Sequence, residues 1–275
     1  MDWNYYNKIN NVNNSNFNEH WIKYNNLINE KIATSSTSSS SAGGHLNSYF
    51  NLYFETYNVS DPDSINLYFE TSDNSNITIN WEDGVTDVIE SDNSDSHSYD
   101  NIGEHIVNIL PLNISTISIF PSNLESYKVI KKIEYQLLTN LINLWIISDI
   151  IDIEANALDN TSLQFLGLKY SNLTTLKNSM FNGISTLNGF YLINCSTVTS
   201  FESGVFKGLS NLQNLEFYST PFINTDLVDN FLIDLNNSKI SNCNITIDLT
   251  NRTSNSDFAA LGLEFRGCSV NITRQ

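Results

Sequence analysis

The 275-residue chain carries 30 acidic against 13 basic residues, a net charge of −17. A surface this acidic repels phosphate backbones, so nucleic acid is not an expected partner. Charged residues are only 16% of the chain, below the usual quarter or so; 43 Asn and 35 Ser supply the polar surface instead. Asn, Ile, Tyr and Phe, abundant together, all have AT-rich codons, so part of this bias is of the kind a genome imposes. With 40% hydrophobic residues the chain has material for real cores, which excludes wholesale disorder. Cys195, Cys243 and Cys268 are widely spaced, without a C-x-x-C pair. They point to buried small side chains rather than to a disulfide framework or a zinc site. Met1 to Asn7 has neither the basic nor the apolar region of a signal peptide. The most apolar stretch, Leu137 to Ile153, is interrupted by Thr139, Asn140, Asn143, Ser148, Asp149 and Asp152, so no membrane insertion is expected.

Residues 1–32 form a segment of their own. Phe17, Trp21, Tyr24, Ile28 and Ile32 fall on one face of a predicted helix. Asn16 followed by Glu19 is similar to a capping box. A helix of about 16 residues is marginal alone in water, so this aromatic stripe needs a partner surface: another chain, a second copy, or its own domain. Residues 33–44, from Ala33 through a Ser/Thr run to Gly44, read as a flexible linker of roughly 20 Å root-mean-square span. Such a tether favours an anchoring role for Phe17, Trp21, Tyr24 and Ile28.

From residue 45 a β pattern begins. Asn51 to Thr56 and Asn66 to Thr71 are near-copies reading Asn-Leu-Tyr-Phe-Glu-Thr, separated by turn residues Ser60 to Asp63. Ile77 to Trp81 alternates strictly, Glu82-Asp83-Gly84 turns, and Val85 to Ile89 forms the next strand. Glu90 to Ser96 reads as an acidic, serine-rich loop, and Glu104 to Ile109 alternates again. Short strands with turn chemistry between them predict a small β-sandwich over 45–120. Trp81-Glu82-Asp83-Gly84, then His97-Ser98-Tyr99, then Gly103-Glu104-His105-Ile106-Val107-Asn108-Ile109 resembles the PKD-type immunoglobulin-like pattern W-x-D-G, H-x-Y, G-x-Y-x-V-x-I. His105 stands where that family has Tyr. The resemblance implies structural roles for Trp81, Asp83, Gly84, His97, Tyr99 and Gly103. Trp81 fills the core, Asp83-Gly84 makes a tight turn, and Tyr99 anchors the hairpin.

Residues 121–275 repeat. Leu141, Leu163, Leu187 and Leu212 close similar polar phrases at nearly even steps. Apolar residues recur after them, as in Leu163-Gln164-Phe165-Leu166-Gly167-Leu168. A period of roughly 20–29 residues with L-x-x-L-x-L is the leucine-rich-repeat signature. Asn172 and Asn194-Cys195 are read as the aligned turn that closes each strand. With phrases such as Met180-Phe181-Asn182-Gly183 and Val205-Phe206-Lys207-Gly208, this half resembles the irregular BspA-type repeats. The tail, with helices over 227–235 and 256–265 and strands over 244–250 and 266–272, resembles the C-terminal unit that caps such solenoids. The expected fold class is therefore mainly β. An N-terminal helix and Ser-rich tether precede an Ig-like sandwich, followed by a short leucine-rich-repeat solenoid with an α/β cap.

No catalytic constellation emerges. His20, His45, His97 and His105 lie in different segments, and no G-x-S-x-G, H-E-x-x-H or P-loop motif exists. Asp83, Asp87, Asp92 and Asp95 form an acidic stretch without the D-x-D-x-D-G spacing of a calcium loop. No enzyme activity, cofactor or metal is expected. The order of modules resembles that of virion proteins of crAss-like phages and of gut-bacterial surface proteins. The resemblance implies a display protein of a bacteriophage virion: a head fibre, decoration or tail appendage. Its N-terminal segment would meet capsid, portal or tail proteins, and its modules a host surface glycan or protein, as a homo-oligomer. The alternative is a bacterial cell-surface adhesin.

Overall fold

A computed structural model describes residues 50–56, 64–99, 103–110, 113–121, 127–133, 138–147, 153, 158, 161–220, 225–248 and 250–273. The expected anchor residues Phe17, Trp21, Tyr24 and Ile28 and the linker 33–44 lie outside the described residues. The described chain is mainly β, with two α-helices near its end.

The first strands are β1 (Phe50–Thr56), β2 (Ser64–Thr71), β3 (Ile77–Asn80) and β4 (Thr86–Ile89). They are followed by β5 (Asn93–Ser98), β6 (Gly103–Leu110), β7 (Ile114–Pro121) and β8 (Tyr127–Ile133). The near-copies part company. β1 joins a five-stranded antiparallel sheet in the order β4-β3-β6-β1-β8, whereas β2 sits between β7 and β5 in a different sheet. In β2, Ile65, Leu67 and Phe69 are buried while Asn66, Tyr68 and Glu70 occupy the other face, as period-2 alternation requires. Leu52, Ile77, Ile79, Val107 and Ile109 of the first sheet share one core with Leu67, Phe69, Ile117 and Ile119 of the second. β5 overlaps the stretch expected as a loop. Its Asn-Ser-Asp-Ser-His-Ser sequence lacks apolar alternation because it is an edge strand, hydrogen-bonded to β2 from Ser64–Ser98 to Phe69–Asn93, where polar side chains are favoured.

The remaining elements are β9 (Asn143–Ile147), β10 (Phe165–Lys169), β11 (Thr175–Leu176), β12 (Gly189–Ile193), β13 (Ser200–Phe201) and β14 (Asn214–Tyr218). Then come α1 (Thr225–Asn237), β15 (Asn244–Ile247), α2 (Asp257–Phe265) and β16 (Ser269–Ile272). β9, β10, β12, β14, β15 and β16 stack in parallel, and β9 pairs in parallel with β7. One nine-stranded sheet therefore runs β16-β15-β14-β12-β10-β9-β7-β2-β5, antiparallel at one end and parallel over the rest. β11 and β13 form a separate short parallel pair.

The inner face of the parallel strands is dry: Leu144, Leu166, Leu168, Phe190, Leu192, Leu215, Phe217 and Ile245 are buried. Behind them aromatic rings meet edge to face, Phe190 with Phe217 at 6.1 Å and Phe217 with Phe231 of α1 at 5.0 Å, the arrangement their quadrupoles favour. The residue after each of β10, β12 and β14 is left-handed: Tyr170 (φ 58°), Asn194 (φ 55°) and Ser219 (φ 47°). The next residues, Ser171, Cys195 and Thr220, are buried and linked from rung to rung. The Ser171 hydroxyl donates to Cys195 Sγ (3.1 Å), and the Cys195 N–H donates to Thr220 Oγ1 (3.1 Å). This corrects the expected alignment, since Cys195 is equivalent to Ser171 while Asn172 is exposed. The inside of the turn admits only a small side chain, and an Asn one residue later points outward.

Candidate functional site

Register turns the sheet's outward face into straight rows. One row runs Ser94, Tyr68, Ser118, Trp145, Gly167, Tyr191, Glu216, Thr246, Asn271, one residue from each strand in order. Eight inter-strand steps of about 4.8 Å give a row roughly 38 Å long. Its polar and aromatic side chains are amide, hydroxyl, aromatic and the one carboxylate of Glu216.

Two glycines shape the middle of the face, Gly167 in this row and Gly189 in the neighbouring row of Phe165 and Asn214. Trp145 lies flat over Gly167, where an added Cβ would stand 2.0 Å from Trp145 Cε3, and stacks on Tyr191 with centroids 5.5 Å apart. At Gly189 an added Cβ would meet the Phe165 and Tyr191 rings at 2.8 Å. Glycine thus lets aromatic rings lie against the strand backbone. Trp145 is only 5% exposed, whereas Tyr218 at 37%, Asn244, Ser269 and Asn271 open the face toward β16. Burial, then the Glu216 carboxylate, holds the Tyr191 phenol well above its usual range. In the next row Lys169 is 2% exposed, its Nζ 5.0 Å from the Tyr170 ring centroid. Burial draws its ammonium down to about 8.

A hydrogen-bond chain crosses from the antiparallel end to the parallel end. The Asn143 amide donates to Thr116 Oγ1 (3.0 Å), and the Thr116 hydroxyl donates to Glu70 Oε2 (2.9 Å). The Tyr68 hydroxyl faces both Glu70 Oε1 and Asp92 Oδ1, the latter at 2.6 Å. With Asn143 and Thr116 buried, this chain satisfies polar groups at the β7–β9 junction that would otherwise cost stability.

The expected signature residues come together at the other end of the core. Trp81 is fully buried; its indole N–H donates to Asp87 Oδ2 (2.7 Å), and the Tyr99 hydroxyl donates to the Trp81 carbonyl (2.9 Å). His97 stacks on Trp81 at 4.6 Å and pairs with Asp83 Oδ2 at 2.7 Å; Tyr99 meets the His97 ring edge-on and stacks on His105 at 3.8 Å. Gly84 (φ 97°) takes the left-handed turn position, and Gly103 opens β6 opposite Thr56. Burial alone raises the Asp83 pKa, but the Val85 N–H and His97 bonds bring it below the usual carboxylate range. Burial, with Asp87 nearby, raises Asp95. Asp83 and Asp87 are thus engaged by His97 and Trp81, and Asp92 by Tyr68. Among the described residues, no three His, Cys, Asp or Glu side chains gather into a group that can hold a metal ion, and no helix is long and apolar enough to cross a membrane.

Trp145, Gly167, Tyr191 and Lys169 do not stand out in the sequence. The available signal is positional: Trp145, Gly167, Tyr191 and Glu216 follow one another at the same steps as Leu141, Leu163, Leu187 and Leu212. Comparison with protein families and with curated proteins gives no match for the chain.

Proposed function

We propose that the chain is a non-enzymatic display protein of a bacteriophage virion, a head fibre, decoration or tail appendage. In this reading a PKD-type Ig-like sandwich passes one of its sheets directly into a short leucine-rich-repeat solenoid with an α/β cap. The N-terminal segment with Phe17, Trp21, Tyr24 and Ile28 anchors it to other virion proteins. The carrying observation is the outward face, in one register from β5 to β16 and open to solvent at Tyr218, Asn244, Ser269 and Asn271. Repeat surfaces of this kind serve as extended binding platforms, and amide, hydroxyl and aromatic side chains suit a host glycan or protein. Trp145, Gly167, Tyr191 and Glu216 align from rung to rung at the spacing of the repeat leucines, which supports the repeat reading. Trp81 between two layers with Tyr99 on its carbonyl supports the PKD-type reading. The charge of −17 keeps crowded copies soluble and apart, and many copies on one particle raise avidity without new contacts.

Immunogold labelling of particles purified from a culture that produces this chain tests the reading. Label on heads or tails is expected. Label confined to bacterial envelopes overturns the virion placement in favour of an adhesin.

A further inference from the structure

We propose that the cleft between β13 and α1 binds a neutral hydroxyl-rich ligand, a single pyranose unit. The cleft exists because the short strands stop. β11 and β13 pair at Thr175–Ser200 and Leu176–Phe201, one repeat apart. One further repeat along, at Thr225, the chain enters α1 instead of a third short strand. The Ser200 and Glu202 N–H groups donate to Thr174 and Leu176. Backbone alternation along a strand then turns the N–H and C=O of Phe201 the other way, to the open edge. Between that edge and the helix lies a space of about 350 Å³, within the range of small-ligand sites.

The lining specifies the ligand. Among the described residues that line it, Asp234 is the one charged side chain and is 6% exposed. Its Oδ1 accepts from the Gly204 N–H (2.6 Å) and lies 3.5 Å from the Ser203 hydroxyl, which fixes the carboxylate. Its Oδ2 is buried without a hydrogen-bond partner, a costly state for a carboxylate beside the cleft. Asn230 and Asn237, one helical turn before and after Asp234 on the same face, add neutral donors and acceptors. Phe201, Leu227 and Ile233 supply an apolar wall. Anionic ligands are repelled by Asp234. A simple cation meets one carboxylate, two amides and an apolar wall that it cannot use. A pyranose uses all three, with hydroxyls for the carboxylate and amides and a C–H face for Phe201. None of these residues belongs to the outward face, so the inference goes beyond the display reading and does not depend on it.

The test is saturation-transfer NMR and calorimetry on the full chain with the methyl glycosides of glucose, galactose, mannose and N-acetylglucosamine. For ligands of about a dozen non-hydrogen atoms a dissociation constant on the order of 1 mM is expected for at least one glycoside. Asp234→Asn keeps an acceptor for Gly204 but turns Oδ2 into a donor; it should weaken binding by about ten- to a hundredfold, the worth of a hydrogen bond to a charged group. Asn230→Ala, at an exposed position, keeps the fold and should weaken binding several-fold. No glycoside binding by the unaltered chain overturns the proposal, as does binding untouched by both variants or tighter binding of methylammonium than of any glycoside. Particle labelling is unaffected by any of these outcomes, so the two readings fail separately.

Discussion

Gly167→Ala is a severe test of the aromatic cover on the outward face. By backbone entropy alone, alanine in place of glycine should stabilise a strand position by about 0.4–1 kcal/mol. Here the added methyl would stand 2.0 Å from Trp145 Cε3 and 2.1 Å from Cζ3. The ring must move by more than an ångström, and at 5% exposure it is largely enclosed by its neighbours. Overpacking of this kind costs about 1–3 kcal/mol, and loss of the stack on Tyr191 about 0.5–1.5 more. The contact outweighs the entropy, and a net loss of about 0.5–4 kcal/mol is expected from these terms. Urea denaturation followed by far-ultraviolet circular dichroism measures it. The same substitution in a Trp145→Ala background meets no ring, so it should be neutral or stabilising, with a coupling energy above about 1 kcal/mol. A Gly167→Ala protein as stable as the unaltered chain, or a cycle without coupling, would show that the Trp145 ring does not press on this position.

Trp81→Ala removes a fully buried ring and leaves Asp87 without its indole donor. A loss of about 3–5 kcal/mol is expected by chemical denaturation. In α2, Leu263→Ala should cost about 2–5 kcal/mol, whereas Phe265→Ser, at a side chain 94% exposed, should stay within about 0.5 kcal/mol; thermal melts of the pair compare them directly. Asp229 on α1 accepts from the Thr253 N–H (2.9 Å) and the Ser256 hydroxyl (2.6 Å), tying α1 to the turn that opens α2. Asp229→Ala should cost about 2–4 kcal/mol by stranding these donors. Burial raises the Asp229 pKa, but its bonds to Ser256 and Thr253 overcome this and hold it low. The ionised tie is therefore fully present above the unfolded carboxylate's range and is lost as pH falls through the folded value. Melting curves of the unaltered chain and of Asp229→Asn should converge on acidification, and a gap that widens toward low pH would count against this assignment.

Much of the fold is legible in the sequence because period and turn chemistry are local. Ile77 to Trp81 alternates visibly, and the leucines at 141, 163, 187 and 212 mark the rungs. Less legible is anything fixed by pairing. The near-copies β1 and β2 have the same local preferences, and only their partners send them to different sheets. β5 is strand by virtue of an edge, without an apolar signal of its own. The Trp145–Gly167–Tyr191 cover becomes visible only once the rungs are in register. Asp234 reads as one more polar residue on an amphipathic helix until β13 is seen, among the described residues, to end the short sheet beside it.

A single sheet carries the outward face across the β7–β9 junction. Hydrogen exchange read by mass spectrometry tests it most directly. Thr116–Asn143, Ile117–Leu144, Ser118–Trp145 and Ile119–Ile146 are paired in parallel, so peptides covering β7 and β9 should open together, with the same protection and the same dependence on urea. Protection that persists in β9 through β14 after β2, β5 and β7 have exchanged would contradict a continuous sheet and leave two separate outward faces.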